Sequence, residues 1–297
     1  MSRIVRQGLA MLRAPAIELG YALRSSLRWS RGAPSPDRLA AAPTFVWAPE
    51  PLAADLHERA ERLEDRFGLA PCLTGLAPDV RARNYARLEQ LERLAGDLAV
   101  PRSEDGCVRA ADLGCGDFHY AAALSRWLSR GGAGDVRSVV LRGLELDGHG
   151  VYRDGHSRAD HGRARAGDAS VDGNVVRFEV ADAAAARLPQ QDVVSLFFPF
   201  LTPYACLQWG LPLSRLRPRR LLARAVQSLR PGGWLVVANQ TPREFVRLRR
   251  LLAGLPVARI ARASLASDLV PEAAETAGQV GSIWVRQEDV PSGKLSG

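Results

Sequence analysis

Lysine is almost missing from this chain. Lys294 is the only one, so 39 of the 40 basic side chains among 297 residues are arginines. Arginine, alanine, glycine and leucine dominate throughout, the mark of a coding bias toward GC-rich codons. The net charge of +8 therefore loses most of the nucleic-acid meaning that a basic chain otherwise carries. Cysteine is scarce as well. Cys72, Cys107, Cys115 and Cys206 have no C-x-x-C spacing, which argues against a disulfide framework or a thiolate zinc site and fits reduced thiols in a cytoplasmic protein. No apolar run reaches the ~20 residues of a membrane span. Arg13 and Glu18 interrupt the apolar stretch that a secretory leader would need near the start. No internal repeat and no H-E-x-x-H spacing occur.

What is present is an ordinary globular composition, 46% apolar and 24% charged. The length suits one large domain, or a core with a smaller addition. Residues 1–31 are basic, with Val5, Leu9, Leu12, Leu19, Leu23 and Leu27 at helical spacing and Pro15 breaking or kinking the run. They read as a helix packed on or beside the core; the alternative is a peripheral membrane helix. Residues 32–51 carry five prolines and read as an extended linker that docks Phe45 and Trp47 on the core. Helices follow over Leu52 to Phe67 and from Pro78 to about Val100, the second with Tyr85, Leu88, Leu91 and Leu94 on one face. Residues 32–104 thus form a linker and helical cap, residues 105–288 a core, and residues 289–297 a flexible polar tail.

The core opens on Val108 to Leu113, a buried strand, then Gly114 and Gly116 in a tight turn, then a helix through Ala121, Leu124 and Trp127. Free N–H groups at such a helix start suit an electron-rich ligand, and Asp112 can accept from a cationic ligand's amino group. A second strand, Ser138 to Glu145, ends on a carboxylate able to take both hydroxyls of a ribose; Asp147 is its rival. His149, Asp154, His156, Asp160 and His161 follow without any metal-motif spacing, with Tyr152, His156, Ala159 and Arg163 on one face of the next helix, so no metal is assigned. A third strand, Val175 to Val180, leads to Asp182. A fourth, from Gln191, runs into an aromatic mouth at Phe197, Phe198 and Phe200, followed by Thr202, Tyr204, Cys206 and Trp209 as an acceptor-pocket segment. Phe197 or Phe198 could lie against a cation, a contact worth ~0.5–2 kcal/mol. Arg219 to Leu229 reads as a helix stopped by Pro231, with left-handed glycines turning into a fifth strand. Pro242 to Leu252 is a helix, and Pro256 to Leu265 pairs with Gly281 to Gln287 as a hairpin.

Asp112-Leu113-Gly114-Cys115-Gly116 resembles the (D/E)-x-G-x-G-x-G turn of class I S-adenosylmethionine-dependent methyltransferases, with Phe118 where that family has its third glycine. Leu229-Arg230-Pro231-Gly232-Gly233 resembles that family's L-(K/R)-P-G-G strand entry. The dinucleotide pattern G-x-G-x-x-G is absent, because no glycine stands at His119 or Tyr120. The resemblance runs from about Val108 to Gln287. It implies a Rossmann-like, mostly parallel seven-stranded sheet with helices on both faces, preceded by the helical cap, as the alternation of strands and helices also does. It further implies S-adenosyl-L-methionine as cofactor, with Asp112, Leu113, Gly114, Cys115, Gly116, Glu145, Leu146, Asp182, Ala183 and Phe197 around it. The expected activity is methyl transfer to a small-molecule acceptor; the alternatives are an RNA or protein acceptor, or a non-methylating member of the fold. His119, Tyr204 and Asn239 lie near the expected reacting end, but no sequence partner singles one out as catalytic.

Overall fold

The computed structural model describes residues 11–131 and 138–288. Val5, Leu9, Gly132, Gly134 and the tail 289–297 lie outside the described residues. The described chain folds as α1 (Ala14–Leu27), α2 (Leu52–Phe67), α3 (Pro78–Ala95), β1 (Cys107–Leu113), α4 (Ala121–Arg130), β2 (Ser138–Glu145), α5 (Arg158–Asp168), β3 (Val175–Val180), β4 (Gln191–Phe197), α6 (Pro203–Gln208), α7 (Pro218–Ser228), β5 (Leu229–Asn239), α8 (Pro242–Leu252), β6 (Val257–Ser264), α9 (Ala273–Thr276) and β7 (Val280–Arg286). The seven strands form one sheet in the order β3-β2-β1-β4-β5-β7-β6. Strands β1 to β5 are parallel, and β7 runs antiparallel between β5 and β6. This is the architecture that the resemblance to the class I methyltransferases implied.

The central strands are apolar on both faces, as a strand covered by helices on each side must be. On one face, α2, α3 and α4 bury Leu56, Phe67, Leu88 and Trp127 against Val108, Ala110 and Val236. On the other, α7 and α8 bury Leu222, Val226, Phe245 and Leu248 against Ala111, Val194 and Leu235. Phe45 docks in the first layer, 1% exposed, with Trp47 half-buried against it. The four cysteines are buried and unpaired. Strand order reverses between β1 and β4, and a crevice opens at such a switch point beyond the carboxyl ends of the strands.

Local chemistry moved several boundaries. Helix α3 stops at Ala95, short of Val100, because Gly96 takes φ 55° and ends it. Pro15 stands in the first turn of α1, where a missing N–H costs nothing, and the helical run is broken just before it at Arg13, between Leu12 and Ala14. Tyr152 and His156 precede α5: Ser157 and Asp160 form a reciprocal capping box that starts the helix at Arg158. Helix α7 ends at Ser228, before Pro231. The Leu229 to Gly233 stretch instead makes an irregular entry to β5, where pairing jumps from Gln191–Leu229 to Val193–Trp234. A Cβ on Gly233 would meet carbonyl oxygens of Arg230 at 2.9 Å and Asp192 at 3.0 Å, so only glycine fits. Arg230 closes the turn on the buried Asp192 carboxylate.

Candidate functional site

The β1 turn is tied to the tip of β2 by one side chain. Glu145, 3% exposed, accepts from the backbone N–H of Gly116 through Oε2 and of Asp147 through Oε1, both at 2.9 Å. Gly114 and Gly116 take φ 82° and 62°, as a tight turn requires. Phe118 takes the same left-handed region at φ 56°, so its backbone does what a third glycine would do. Its ring is fully buried and turned away from the crevice. It packs edge-on to Tyr120 and fills the space that a Cβ on Gly143 would occupy, its nearest carbon standing 2.7 Å from that position. A glycine in β2 thus makes room for the bulky residue in the turn.

The crevice holds about 320 Å³, within the ~300–1,000 Å³ of small-ligand sites. Nine of the ten residues expected to surround a ligand line it: Leu113 to Gly116 from β1, Glu145 and Leu146 from β2, Asp182 and Ala183 beyond β3, and Phe197 from β4. Asp182 caps its own turn through the Ala184 N–H at 2.9 Å, with Arg215 3.9 Å from its other oxygen. Burial raises the Glu145 carboxyl, opposed by Arg158.

Asp112 is the exception. It is sealed beneath the floor, not on the lining. Its two oxygens accept from Ser195 Oγ and Tyr120 Oη, each at 2.7 Å, leaving it a fastener between β1, β4 and the start of α4. Burial pushes its carboxyl up to about 6, against those two hydrogen bonds. The structure therefore brings Asp112 to the crevice through Tyr120, which lines it, and not on the lining itself. Asp147, the rival to Glu145, is held by Arg24 through two bonds of 3.2 and 3.0 Å and by Arg158 at 3.4 Å.

Spatial partners appear that spacing did not reveal. His119 lines the crevice, with Nδ1 3.0 Å from Asp117 Oδ1. Asp117 is held in turn by Arg165 at 2.7 Å. Burial alone would raise Asp117, but the His119 bond and the Arg165 charge hold it well below the usual carboxylate range. Tyr204 and Asn239 are not on the lining. Helix α3 contributes Arg83, Ala86, Arg87 and Gln90, so the cap is part of the site. Nothing in the spacing of the α3 arginines marks Arg87 as inward. Asp154, His156 and His161 do come together, their ligand atoms within 4.8 Å of one another.

Fold and crevice define a Rossmann-like α/β protein with a crevice of small-ligand size at the carboxyl ends of its central strands. Comparison with protein-family models and with curated proteins finds no match. Among solved structures the chain is similar to TrmN from Thermus thermophilus, at 20% identity over 67% of this chain and 48% of that one, TM-score 0.43. It is also similar to geranyl diphosphate C-methyltransferase from Streptomyces coelicolor A3(2), at 15% identity, 87% and 91% coverage and TM-score 0.45. A third is the N-methyltransferase NodS from Bradyrhizobium japonicum WM9, at 13% identity, 71% and 98% coverage and TM-score 0.41. The chain spans about half the length of TrmN. Likenesses this distant carry no argument about substrate or chemistry.

Proposed function

We propose that this chain is an S-adenosylmethionine-dependent methyltransferase acting on a small molecule. The observation that carries the reading is the alignment of the β1 glycine turn, Glu145 and Asp182 along adjacent strand ends of one crevice. The donor set fits an adenosyl group. Each Glu145 oxygen already takes one N–H and keeps a lone pair for a ribose hydroxyl. Asp182 can accept from an exocyclic amino group, while Leu146 and Leu221 offer apolar surface for a purine. Phe197 lines the β4 side of the same crevice, its ring carrying the Arg87 guanidinium at 4.4 Å. The bound cofactor supplies a methyl group already activated by positive sulfur, so the protein's part is to hold donor and acceptor in line, a contribution of ~7–11 kcal/mol at most. An acceptor that keeps its proton at neutral pH needs a base. His119 is the one imidazole on the lining, and Asp117 fixes its ring with Nε2 unengaged.

Calorimetry with S-adenosylhomocysteine tests the reading. Glu145→Gln, which keeps the shape but removes the charge, should weaken binding by roughly ten- to a hundredfold, the worth of a charged hydrogen bond. Wild-type protein that binds no adenosyl compound overturns the proposal. His119→Gln should leave that affinity within about twofold and slow labelled-methyl transfer by ~10²–10⁴, the usual contribution of a positioned base. Unchanged transfer removes His119 from the chemistry. No helix among the described residues is long and apolar enough to cross a membrane.

A further inference from the structure

Three arginines are buried among the described residues: Arg87, Arg126 and Arg158. Two have carboxylates. Arg126 meets Asp172 at 2.6 Å, and Arg158 meets Asp147 at 3.4 Å and Glu145 at 3.6 Å. Arg87 has none. It is 8% exposed and lines the crevice from α3. Its Nη1 donates to Gln90 Oε1 at 2.9 Å, and its Nε has no partner. Asp112, the carboxylate whose charge acts on it, makes no direct ion pair with it and accepts instead from Ser195 and Tyr120. One turn earlier on the same helix, Arg83 is fully answered by Glu272, with two contacts of 3.1 Å.

The guanidinium is positioned with care for a group that lacks a direct ion pair. It lies 4.4 Å from the Phe197 ring centroid and 5.3 Å from those of Tyr120 and Phe198. Gln90 is itself anchored, donating to the Leu265 carbonyl at 2.5 Å. Three aromatic faces and one amide thus fix the orientation of a planar fork without neutralising it. Burial pulls the group below its ordinary basicity, opposed by Tyr120 and Asp112. A buried charge held in place and left unpaired is costly, and the cost is removed when a ligand oxyanion brings the missing partner. The fork's geometry matches two oxygens of one carboxylate or phosphate.

We propose that the side of the crevice lined by α3 and the connection between β6 and β7 is an acceptor subsite for an oxyanion, with Arg87 as its receptor. The acceptor is then a small organic acid or phosphate ester. Val270, Thr276 and Gln279 from that connection line the same cavity, on elements other than the β2 and β3 tips that carry Glu145 and Asp182. The inference rests on the methyltransferase reading for the word acceptor, but the oxyanion receptor itself does not.

The test uses full-length protein, wild type, Arg87→Met and Arg87→Lys. Three measurements are made: affinity for S-adenosylhomocysteine, affinity for 5′-methylthioadenosine, which lacks the amino-acid carboxylate, and binding of benzoate or inorganic phosphate to protein saturated with S-adenosylhomocysteine. Wild type should bind at least one oxyanion saturably, Arg87→Met should lose that binding tenfold or more, and Arg87→Lys should keep part of it. Both adenosyl affinities should stay within about twofold. The thermal midpoint of Arg87→Met should hold or rise, since an unanswered buried charge has gone; a structural arginine would lower it. No oxyanion binding in wild type, or equal binding in Arg87→Met, overturns the proposal. Arg87→Met that weakens S-adenosylhomocysteine but spares 5′-methylthioadenosine also overturns it, because the guanidinium then serves the donor's own carboxylate. If wild type binds neither adenosyl compound, the methyltransferase reading fails. The oxyanion arm, run on ligand-free protein, still decides the receptor.

Discussion

A residue's backbone and its side chain can answer to different demands, and Phe118 is the example here. Its φ of 56° satisfies the turn, while its ring satisfies the core. L-residues in this region cost roughly 1–2 kcal/mol, so Phe118→Gly should be less destabilised than Phe118→Ala by about 1 kcal/mol, the reverse of the usual order. Both should lose several kcal/mol, in the ~3–5 range of buried Phe truncations for Phe118→Ala, read from denaturant midpoints. Gly143→Ala should also destabilise, and less so in a Phe118→Gly background, because the clash at 2.7 Å has gone; strictly additive effects would break the pairing of the two sites. Asp112 makes a prediction about pH. Its folded value is about 6 against 3.8 when free, so the native state holds a proton that the unfolded chain has released. Stability from this group is full below about pH 4 and falls as pH rises toward 6. Asp112→Asn carries no such titration. The gap in stability between the variant and wild type should shift in the variant's favour by roughly 2 kcal/mol from pH 4 to pH 7, at 1.36 kcal/mol per unit. A constant gap contradicts a carboxyl raised by burial.

Elements differ in how they are held. Helix α2 buries Ala53, Leu56, Ala60, Leu63 and Phe67 on one stripe, and such a helix belongs to the core. Helix α1 buries only Tyr21 and leaves Leu19, Leu23 and Leu27 more than half exposed. Its attachment is polar: Arg24 on Asp147 and the Gly210 carbonyl, Glu18 accepting from Ser214, then Trp29 donating to the Gly155 carbonyl and Ser30 and Arg31 bound to Asp160. Few buried apolar contacts mean local opening at low free energy. Arg24→Ala should therefore speed proteolytic cleavage within residues 14–31 while moving the global thermal midpoint by less than about 4 °C. A large global loss would make α1 part of the cooperative core.

For the whole molecule, the +8 charge is the one feature that still speaks for a nucleic-acid acceptor. Counterion release makes any such binding fall steeply with salt. A small-molecule enzyme with a composition-driven arginine excess should bind bulk RNA weakly, and its S-adenosylhomocysteine affinity should be nearly flat from 50 to 200 mM salt, a window in which ~10³–10⁵ is lost by a strong phosphate binder. Tight, salt-steep RNA binding would move the acceptor to a macromolecule.

The sequence alone determined the parts that short-range physics controls. β2 and β3 begin and end where their apolar, β-branched runs do, α2 and α8 follow their helical stripes, and the glycine turn and strand-end carboxylates sit where backbone demand puts them. Boundaries set by side-chain capping or a bulge, at α5 and at the entry to β5, were less legible because several endings suit the same apolar pattern. Only the tertiary structure decided that Asp112 is a sealed fastener, that Asp117 partners His119, and that Arg87 turns inward from a helix whose other arginines look alike. The reason is physical: periodicity reports which face of an element is apolar, whereas burial of a charge and identity of its partner depend on which distant elements the fold brings against it.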